Sequence, residues 1–536
     1  MAKKLSIIFF IVIGVIIFAM ATFCLILFLA PGLSVFGLKY IRSDVHLINT
    51  GRFAVADTKD FASVGAFDGD LIVEANEVPI NVYYTQGYEY YFEYYDNFSG
   101  FTNSKFDDPS IAVYKDANGD AVIKVQEYHK IFETSSSKRY LNIYVPIVYT
   151  SNDNAYSKDL TIKTKSSFVN FAYETNGDEK FEDTRIPSHK NLNIETTSGK
   201  VKYYLPVYAK TYNLVTNNSV KLKCDPTIEI YATNYKIESK KGNVAFLGNV
   251  AGDIEATTKN GSVSLINCKN LIATTSFGNI KTSNKEVPVE INGIVKLNTK
   301  AGDIVIDKIK GNGENIINTG SGSVSISSVQ DIVVKTTRGS VTIDSLNNGK
   351  IETNVGKVTV SEALSSINVS TKRGNIILGA EGLTINNPTV FSRLGKVNVR
   401  SSSGKVNIST ISGKIDYTNT NSADITIVSG GSLKAEKLTG VVTINASKDI
   451  DISFSKITNT TKIVLADSCY NAIISANNNT SFDTRFYFKS ANVIRYEDQA
   501  KVKESNSIIN NSITTDAYIS VEGTNATIHA YFKKPA

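Results

Sequence analysis

Side chains able to do acid–base or covalent chemistry are sparse in this chain and far apart. The best-spaced pair is Asp449 and Asp451 in the run KDIDI, two residues apart and therefore on one face of a strand. Paired carboxylates can pass a proton to and from a sugar. No further acidic group is placed beside these two by the sequence, and an exposed alternating strand accounts for them more simply. His46, His129, His189 and His529 are scattered, and neither HExxH nor GxSxG occurs. Cys24, Cys224, Cys268 and Cys469 form no CxxC pair and no Cys/His group, which argues against a zinc site or a disulfide framework. The three beyond Cys24 read as small buried hydrophobes. The pattern predicts no cofactor, no metal and no enzyme.

Two other groupings suggest recognition. In VYYTQGYEYYFEYYDNF, residues 82–98, a period of two puts Tyr88, Tyr90, Phe92 and Tyr94 on one face and Glu89, Tyr91, Glu93 and Tyr95 on the other. Tyrosine offers flat apolar area and a hydroxyl at low entropic cost. Tyr88, Tyr90, Tyr91, Phe92, Tyr94 and Tyr95 thus make a candidate platform for stacking sugars or docking a partner; the competing reading is a capping strand with one face against the core. The second grouping is basic: Arg338, Lys357, Lys372, Arg373, Arg393, Lys396, Arg400, Lys405 and Lys414 all fall near a recurring glycine. Stacked turns would gather them into an edge able to attract anionic envelope polymers or lipid headgroups. Glu352, Asp416 and Asp424 are interspersed, so a solvated edge that resists sheet-to-sheet pairing also fits.

What must position these residues is a repeat. LNTKAGDIVI, INTGSGSVSI, VKTTRGSVTI, IETNVGKVTV, VSTKRGNIIL and VFSRLGKVNV align on Gly302, Gly322, Gly339, Gly356, Gly374 and Gly395. The register continues through Gly413 and Gly431, with successive spacings of 20, 17, 17, 18, 21, 18 and 18 residues. Spacing this steady marks a structural repeat. Apolar residues alternate within each unit, as in Val341 and Ile343 around Thr342, the pattern of a half-buried strand. Each repeat is expected to be one coil of two or three short strands. A lone coil cannot bury enough apolar surface to offset the ordering of its backbone, so the coils must stack in parallel. The fold class is therefore all-β, a parallel β-solenoid of coils of 17–21 residues. The glycine is expected at positive φ in a tight turn. None of these glycines completes GxxxxGK[ST] or a GxGxxG that opens a helix, so they do not read as phosphate loops. Weaker copies occur at Gly199, Gly242, Gly261 and Gly278.

The N-terminus is a different material. Residues 5–30, LSIIFFIVIGVIIFAMATFCLILFLA, carry no charge; as a helix they would be about 39 Å long, enough to cross a bilayer with some tilt. The h-region of a cleaved signal peptide runs only about 7–15 residues, so this segment reads as a retained anchor. Lys3 and Lys4 ahead of it favour the N-terminus inside and the rest outside the membrane. The expected organisation is a cytoplasmic 1–4, a transmembrane anchor 5–30, a juxtamembrane linker 31–59, an irregular β-rich cap with the first coils 60–190, the solenoid 191–480 and a C-terminal cap 481–536. Asn118-Gly119 suggests a hairpin turn, and YISVEGTNATIHAYF, 518–532, a final hairpin around Gly523. A formal charge of +6 over 536 residues is modest and does not argue for nucleic acid.

The motif TTSGKV and its variants, preceded by the strand-rich LNIYVPIVYT at 141–150, resemble the adhesin family of bacterial membrane-anchored β-solenoid domains. The resemblance covers most of 60–480 and implies an anchor followed by a solenoid at the cell surface, with no assigned molecular activity. The expected role is adhesin-like binding or structural support, with the bilayer as one partner through the helix and an envelope polysaccharide or protein as another. A polysaccharide-active β-helix enzyme and an envelope sensor or scaffold subunit are the alternatives.

Overall fold

The structure, a computed structural model, describes residues 2–29, 34–35, 38–41, 47–54 and most of 69–532. The longer stretches outside the described residues are 55–68, 104–109, 147–157, 174–187, 223–231, 283–288, 477–484 and 506–517. The chain divides into two units, Met1–Gly252 and Asp253–Ala536. Apart from the N-terminal helix both are all-β, and the β-solenoid counts about 12 turns.

In the second unit each coil adds one strand to each of two parallel ladders. One passes through Asp253–Thr258, Leu271–Thr275, Val295–Thr299 and Asn315–Thr319 towards Thr461–Leu465. The other passes through Val263–Leu265, Ile280–Thr282 and Ile304–Ile309 towards Asn471–Ala476. Strands Val324–Thr336, Val341–Thr353 and Val358–Thr371 run from one ladder round the corner into the other. Short pairings at Glu290–Ile291, Ile385–Asn386 and Ser402–Ser403 add a narrow third side. Parallel register sets like on like: Ile317, Val334, Ile351, Val369 and Val390 follow one another inside the coil, all buried.

Two residues further on stands a buried column of Thr258, Thr275, Thr299, Thr319, Thr336, Thr353 and Thr371. At Thr258, Thr275, Thr319, Thr336 and Thr371 the hydroxyl oxygen accepts the N–H of the glycine three residues later, at 3.0 Å from Gly278 to Thr275 and 2.9 Å from Gly339 to Thr336. The Thr275 hydroxyl in turn donates to the Gly261 carbonyl of the preceding coil at 3.0 Å. This is the serine/threonine turn chemistry that short polar side chains favour. The glycines themselves depart from expectation. Positive φ occurs at Gly100, Gly119, Gly379, Gly382 and Gly404 and, within the repeat, at Gly431, but not at Gly302, Gly322, Gly339, Gly356, Gly374 or Gly395. Their requirement is close stacking: a Cβ on Gly339 would lie 1.7 Å from the Gly322 oxygen, and one on Gly374 1.7 Å from the Gly356 oxygen.

In the first unit the parallel coils begin at Leu71–Ala75 and Ile80–Thr85, which pair with Leu160–Thr164 and Val169–Tyr173. The ladders then continue through Ser188–Thr196, Tyr208–Thr216 and Ala232–Ser239 on one side. Antiparallel strands close the leading edge. The hairpin Ser110–Lys115/Ala121–Gln126 turns at Asn118 and Gly119, whose φ is 81°, and lies on Leu71–Ala75. Lys138–Pro146 lies parallel on Ile80–Thr85, with Glu89–Asn97 and then Leu47–Ala54 antiparallel outside it. These antiparallel strands cover the edges of Leu71–Ala75 and Ile80–Thr85, which would otherwise be open to pairing.

At the other end, Tyr518–Gly523 and Thr527–Phe532 do not form the hairpin expected around Gly523. Each lies parallel on its own ladder, on Thr461–Leu465 and Asn471–Ala476, so the segment is one more coil. The antiparallel hairpin there is Asn492–Glu497 with Ala500–Ser505. The N-terminal helix is Ala2–Leu29. Its side chains are described without a break over 9–23, and among the described residues no helix is long and apolar enough to cross a membrane.

Candidate binding surfaces

The tyrosine-rich strand Glu89–Asn97 alternates as its sequence requires, and its inner face is core. Tyr90, Phe92 and Tyr94 are 2 %, 3 % and 0 % exposed, so these three cannot serve a ligand in the folded chain. Tyr88 lies outside the described residues. The Tyr94 hydroxyl donates to the buried Asp96 carboxylate, and Arg139, also buried, stands directly opposite Asp96 in the antiparallel pair. Burial first and the Asp96 charge second push the Tyr94 phenol far above its ordinary range.

The outer face, Tyr91, Glu93 and Tyr95, is half-buried and joined by partners from neighbouring strands. Tyr91 stacks on Tyr144 with ring centroids 3.8 Å apart and planes 8° from parallel, and Tyr83 stacks on Tyr144 at 5.3 Å. Tyr95 stacks on Tyr140 at 5.1 Å. A chain of amides runs between the two stacks: Asn170 Nδ2 donates to Asn81 Oδ1 and Asn81 Nδ2 to Asn142 Oδ1, each at 2.9 Å. Asn142 Nδ2 then donates to Glu93 Oε2 at 3.2 Å, which also accepts the Tyr144 hydroxyl at 2.8 Å. Ring faces are largely turned on each other, leaving edges, hydroxyls and one carboxylate outward. Burial, with Tyr140 and Glu93 adding to it, raises the Tyr83 phenol, and burial with Glu93 and Tyr95 raises that of Tyr140. Tyr140 and Tyr144 escaped sequence reasoning, and Tyr83 lay in the run 82–98 without being assigned to either face, because only the pairing of distant strands brings them to Glu93; the one signal for Tyr140 and Tyr144 was the same aromatic alternation in KRYLNIYVP.

In the second unit the basic residues do gather along the turns. Arg338 and Arg373 precede a repeat glycine by one position, Lys357, Lys396 and Lys414 follow one, Lys372 and Arg393 stand two before, and Lys405 follows Gly404; all are exposed. The edge is not uniform. Lys396 pairs with Asp416 and Lys405 with Asp424, whereas among the described residues Arg338, Lys357, Arg373, Arg393 and Lys414 form no ion pair.

A groove of about 650 Å³ follows these turns, lined by Asn298, Lys300, Asn318, Gly320, Lys335, Thr337, Glu352, Asn354, Ser370 and Lys372. Five successive coils each supply the residue four before and the residue two before the glycine. Glu352 binds Lys350 at 2.8 Å and lies 3.9 Å from Lys335; the Lys350 hydrogen bond holds its carboxyl below the usual range. A smaller groove of about 470 Å³ in the first unit includes Glu74, Lys124, Lys163, Lys165 and Glu195. There Lys124 and Lys163 both reach Glu74, at 3.3 and 3.2 Å.

The other polar candidates are engaged in structure. Asp449 Oδ1 accepts the N–H groups of Tyr470 and Asn471 at 3.0 and 2.9 Å, and Oδ2 the Asn471 side chain at 3.2 Å. Those bonds lower its pKa, while Asp451 stands exposed in the following strand. His189 is fully buried, with Nε2 2.9 Å from the Tyr84 hydroxyl and Nδ1 2.8 Å from the Lys158 carbonyl. Cys268 and Cys469 are buried free thiols, raised by burial to about 12 and about 11. His46, His129 and Cys224 lie outside the described residues. Among the described residues no group of three or more His, Cys, Asp or Glu could hold a metal ion. No family model, no curated protein and no solved structure matches the chain.

Proposed function

We propose that the chain is a membrane-anchored extracytoplasmic surface protein of adhesin type, holding a β-solenoid outside the bilayer and binding envelope glycans or proteins along its outward rows. The observation that carries this reading is register. Parallel stacking turns single side chains into rows, of tyrosines and amides in the first unit and of turn cations in the second. Such rows are long and shallow, and suit a broad or extended ligand held by many weak contacts. Anchoring is supported by the helix, whose apolar side chains are exposed on every side, Phe9 at 62 %, Ile16 at 52 % and Phe18 at 75 %. A helix apolar all round calls for apolar surroundings, and the charge-free 5–30 with Lys3 and Lys4 ahead of it favours the N-terminus inside.

The test is a binding screen of the full-length chain in detergent micelles against neutral and anionic glycans, with a product assay on the same samples. Binding without turnover is expected, and Tyr91→Ala with Tyr95→Ala should weaken binding of ligands held by the first unit. Turnover would replace this role with the enzyme reading; no binding to any glycan would remove the glycan-adhesive role. Alkaline extraction of membranes tests the anchor, which predicts that the chain stays in the pellet.

A further inference from the structure

We infer that the groove along the turns of the second unit binds a linear anionic glycan, one whose sugars carry carboxylate or phosphate groups. This rests on the binding role proposed above and gives it a site and a ligand class.

The shape comes from the repeat. Five coils at about 4.8 Å each give a floor about 19 Å long, which fits an extended chain rather than a compact small molecule. Gly320 leaves part of that floor without a side chain, and it has no alternative: a Cβ there would lie 2.4 Å from the Lys300 carbonyl oxygen. The charge comes from Lys300, Lys335 and Lys372, all in the lining. Lys300 and Lys372 form no ion pair among the described residues. Lys335 is 3.9 Å from Glu352, whose closer partner is Lys350 at 2.8 Å. Asn298 and Asn318 supply amides for sugar hydroxyls, and among the described residues no aromatic ring lines the groove, so charge and hydrogen bonding must select the ligand. The first unit provides an internal contrast: its groove lies at the corresponding turns, but its Lys124 and Lys163 are both committed to Glu74, and Lys165 is its one lining lysine that forms no ion pair among the described residues.

The experiment measures binding of the full-length chain in micelles to polygalacturonate, to a phosphomannan and to neutral dextran, across a range of salt. Both polyanions, or one of them, should bind and dextran should not; their relative affinity tells carboxylate from phosphate. Binding should weaken as salt rises. Lys300→Gln, Lys335→Gln and Lys372→Gln together should lower affinity about tenfold and flatten the salt dependence. Lys269→Gln, Lys281→Gln and Lys310→Gln, exposed in the same unit but away from the basic edge and the groove, should leave affinity within about twofold. All six side chains are exposed, so an unchanged melting curve is expected for both triples. Equal weakening by both triples, no weakening by the groove triple, or dextran binding as tightly as the polyanions would overturn the site. Glycan binding that survives the groove triple removes this site but leaves the proposed role; turnover removes the role itself.

Discussion

The two units build the same parallel ladders from different material. In the first, coils are held by large and partly polar side chains: the buried Tyr84–His189 pair, Tyr94 on Asp96, and Tyr235 packed against Tyr212 at 5.4 Å and Phe246 at 5.7 Å. In the second, aliphatic side chains repeat in columns and the Thr-x-x-Gly turn recurs from coil to coil. When side chains repeat, neighbouring turns can approach until glycine backbone touches glycine backbone, and any one coil resembles the next. When they do not, each coil needs its own aromatic or polar fit. The first unit should therefore respond to chemistry at individual groups, and the second to anything that disturbs the spacing between turns.

The strongest way to break this contrast is to add one methyl group in each unit. Gly339→Ala drives a Cβ to 1.7 Å from a backbone oxygen that cannot swing aside, and should cost about 3 kcal/mol. Gly119→Ala meets nothing within 4 Å, but its φ of 81° is unfavourable to a side chain, so about 1–2 kcal/mol is expected. Urea midpoints of the two variants decide. A small loss at Gly339 would mean that close stacking does not demand its glycine.

Acid should separate the units next. Burial holds His189 below its ordinary pKa, opposed by its bond to the Lys158 carbonyl and by the Asp159 charge. It is neutral when folded, so the unfolded chain takes up the proton first. Stability is then fully present above about pH 6.5 and falls as pH drops below that value, by up to about 1.4 kcal/mol per pH unit. Asp70 and Glu127, raised by burial, act with the opposite sign and in the lower carboxylate range. Protection factors, which divide out the intrinsic slowing of amide exchange in acid, should therefore fall in Ser188–Thr196 between about pH 7 and 5.5 while those of Ile304–Ile309 hold. Equal protection in both strands across that range would remove the distinction.

A third comparison lies inside the second unit and sharpens what repetition means there. The Thr336 hydroxyl accepts the Gly339 N–H at 2.9 Å, so Thr336→Val leaves a buried donor unpaired and should cost about 1–2 kcal/mol. The Thr353 hydroxyl occupies the same column but is buried without a hydrogen-bond partner among the described residues; Thr353→Val should be neutral within about 0.5 kcal/mol, or stabilising. Matching losses in thermal melts would show that the column acts through shape and not through its hydroxyls.

Much of this contrast was readable beforehand, because glycine spacing and alternation are properties of one coil. The period in Glu89–Asn97 was likewise correct, but which face is buried depends on strands some fifty residues away. The positive φ expected of the repeat glycines failed from Gly302 to Gly395 for the same reason: the atom that excludes a Cβ from Gly339 belongs to Gly322, in another coil. The parallel pairing of Tyr518–Gly523 was hidden because a short loop between two strands looks the same whether they pair with each other or with separate ladders. Lys300 and Lys335 carry no motif. They matter only through the register that sets them, with Lys372, on successive turns, and the basic edge was visible only where its residues adjoin glycine.

The smallest expected effect bears on what the surface charges are for. Lys396 and Lys405 form exposed pairs with Asp416 and Asp424, and Lys124 reaches Glu74 in the first unit. Solvent screening leaves such pairs worth roughly 0–1 kcal/mol, so Lys396→Gln, Lys405→Gln and Lys124→Gln should each shift stability by less than about 0.5 kcal/mol. If so, neither unit depends on its surface ion pairs to fold, and the unequal distribution of unpaired cations between the two grooves is open to selection for binding. A loss above about 1 kcal/mol at Lys396 or Lys405 would instead make the basic edge part of the coil-to-coil adhesion.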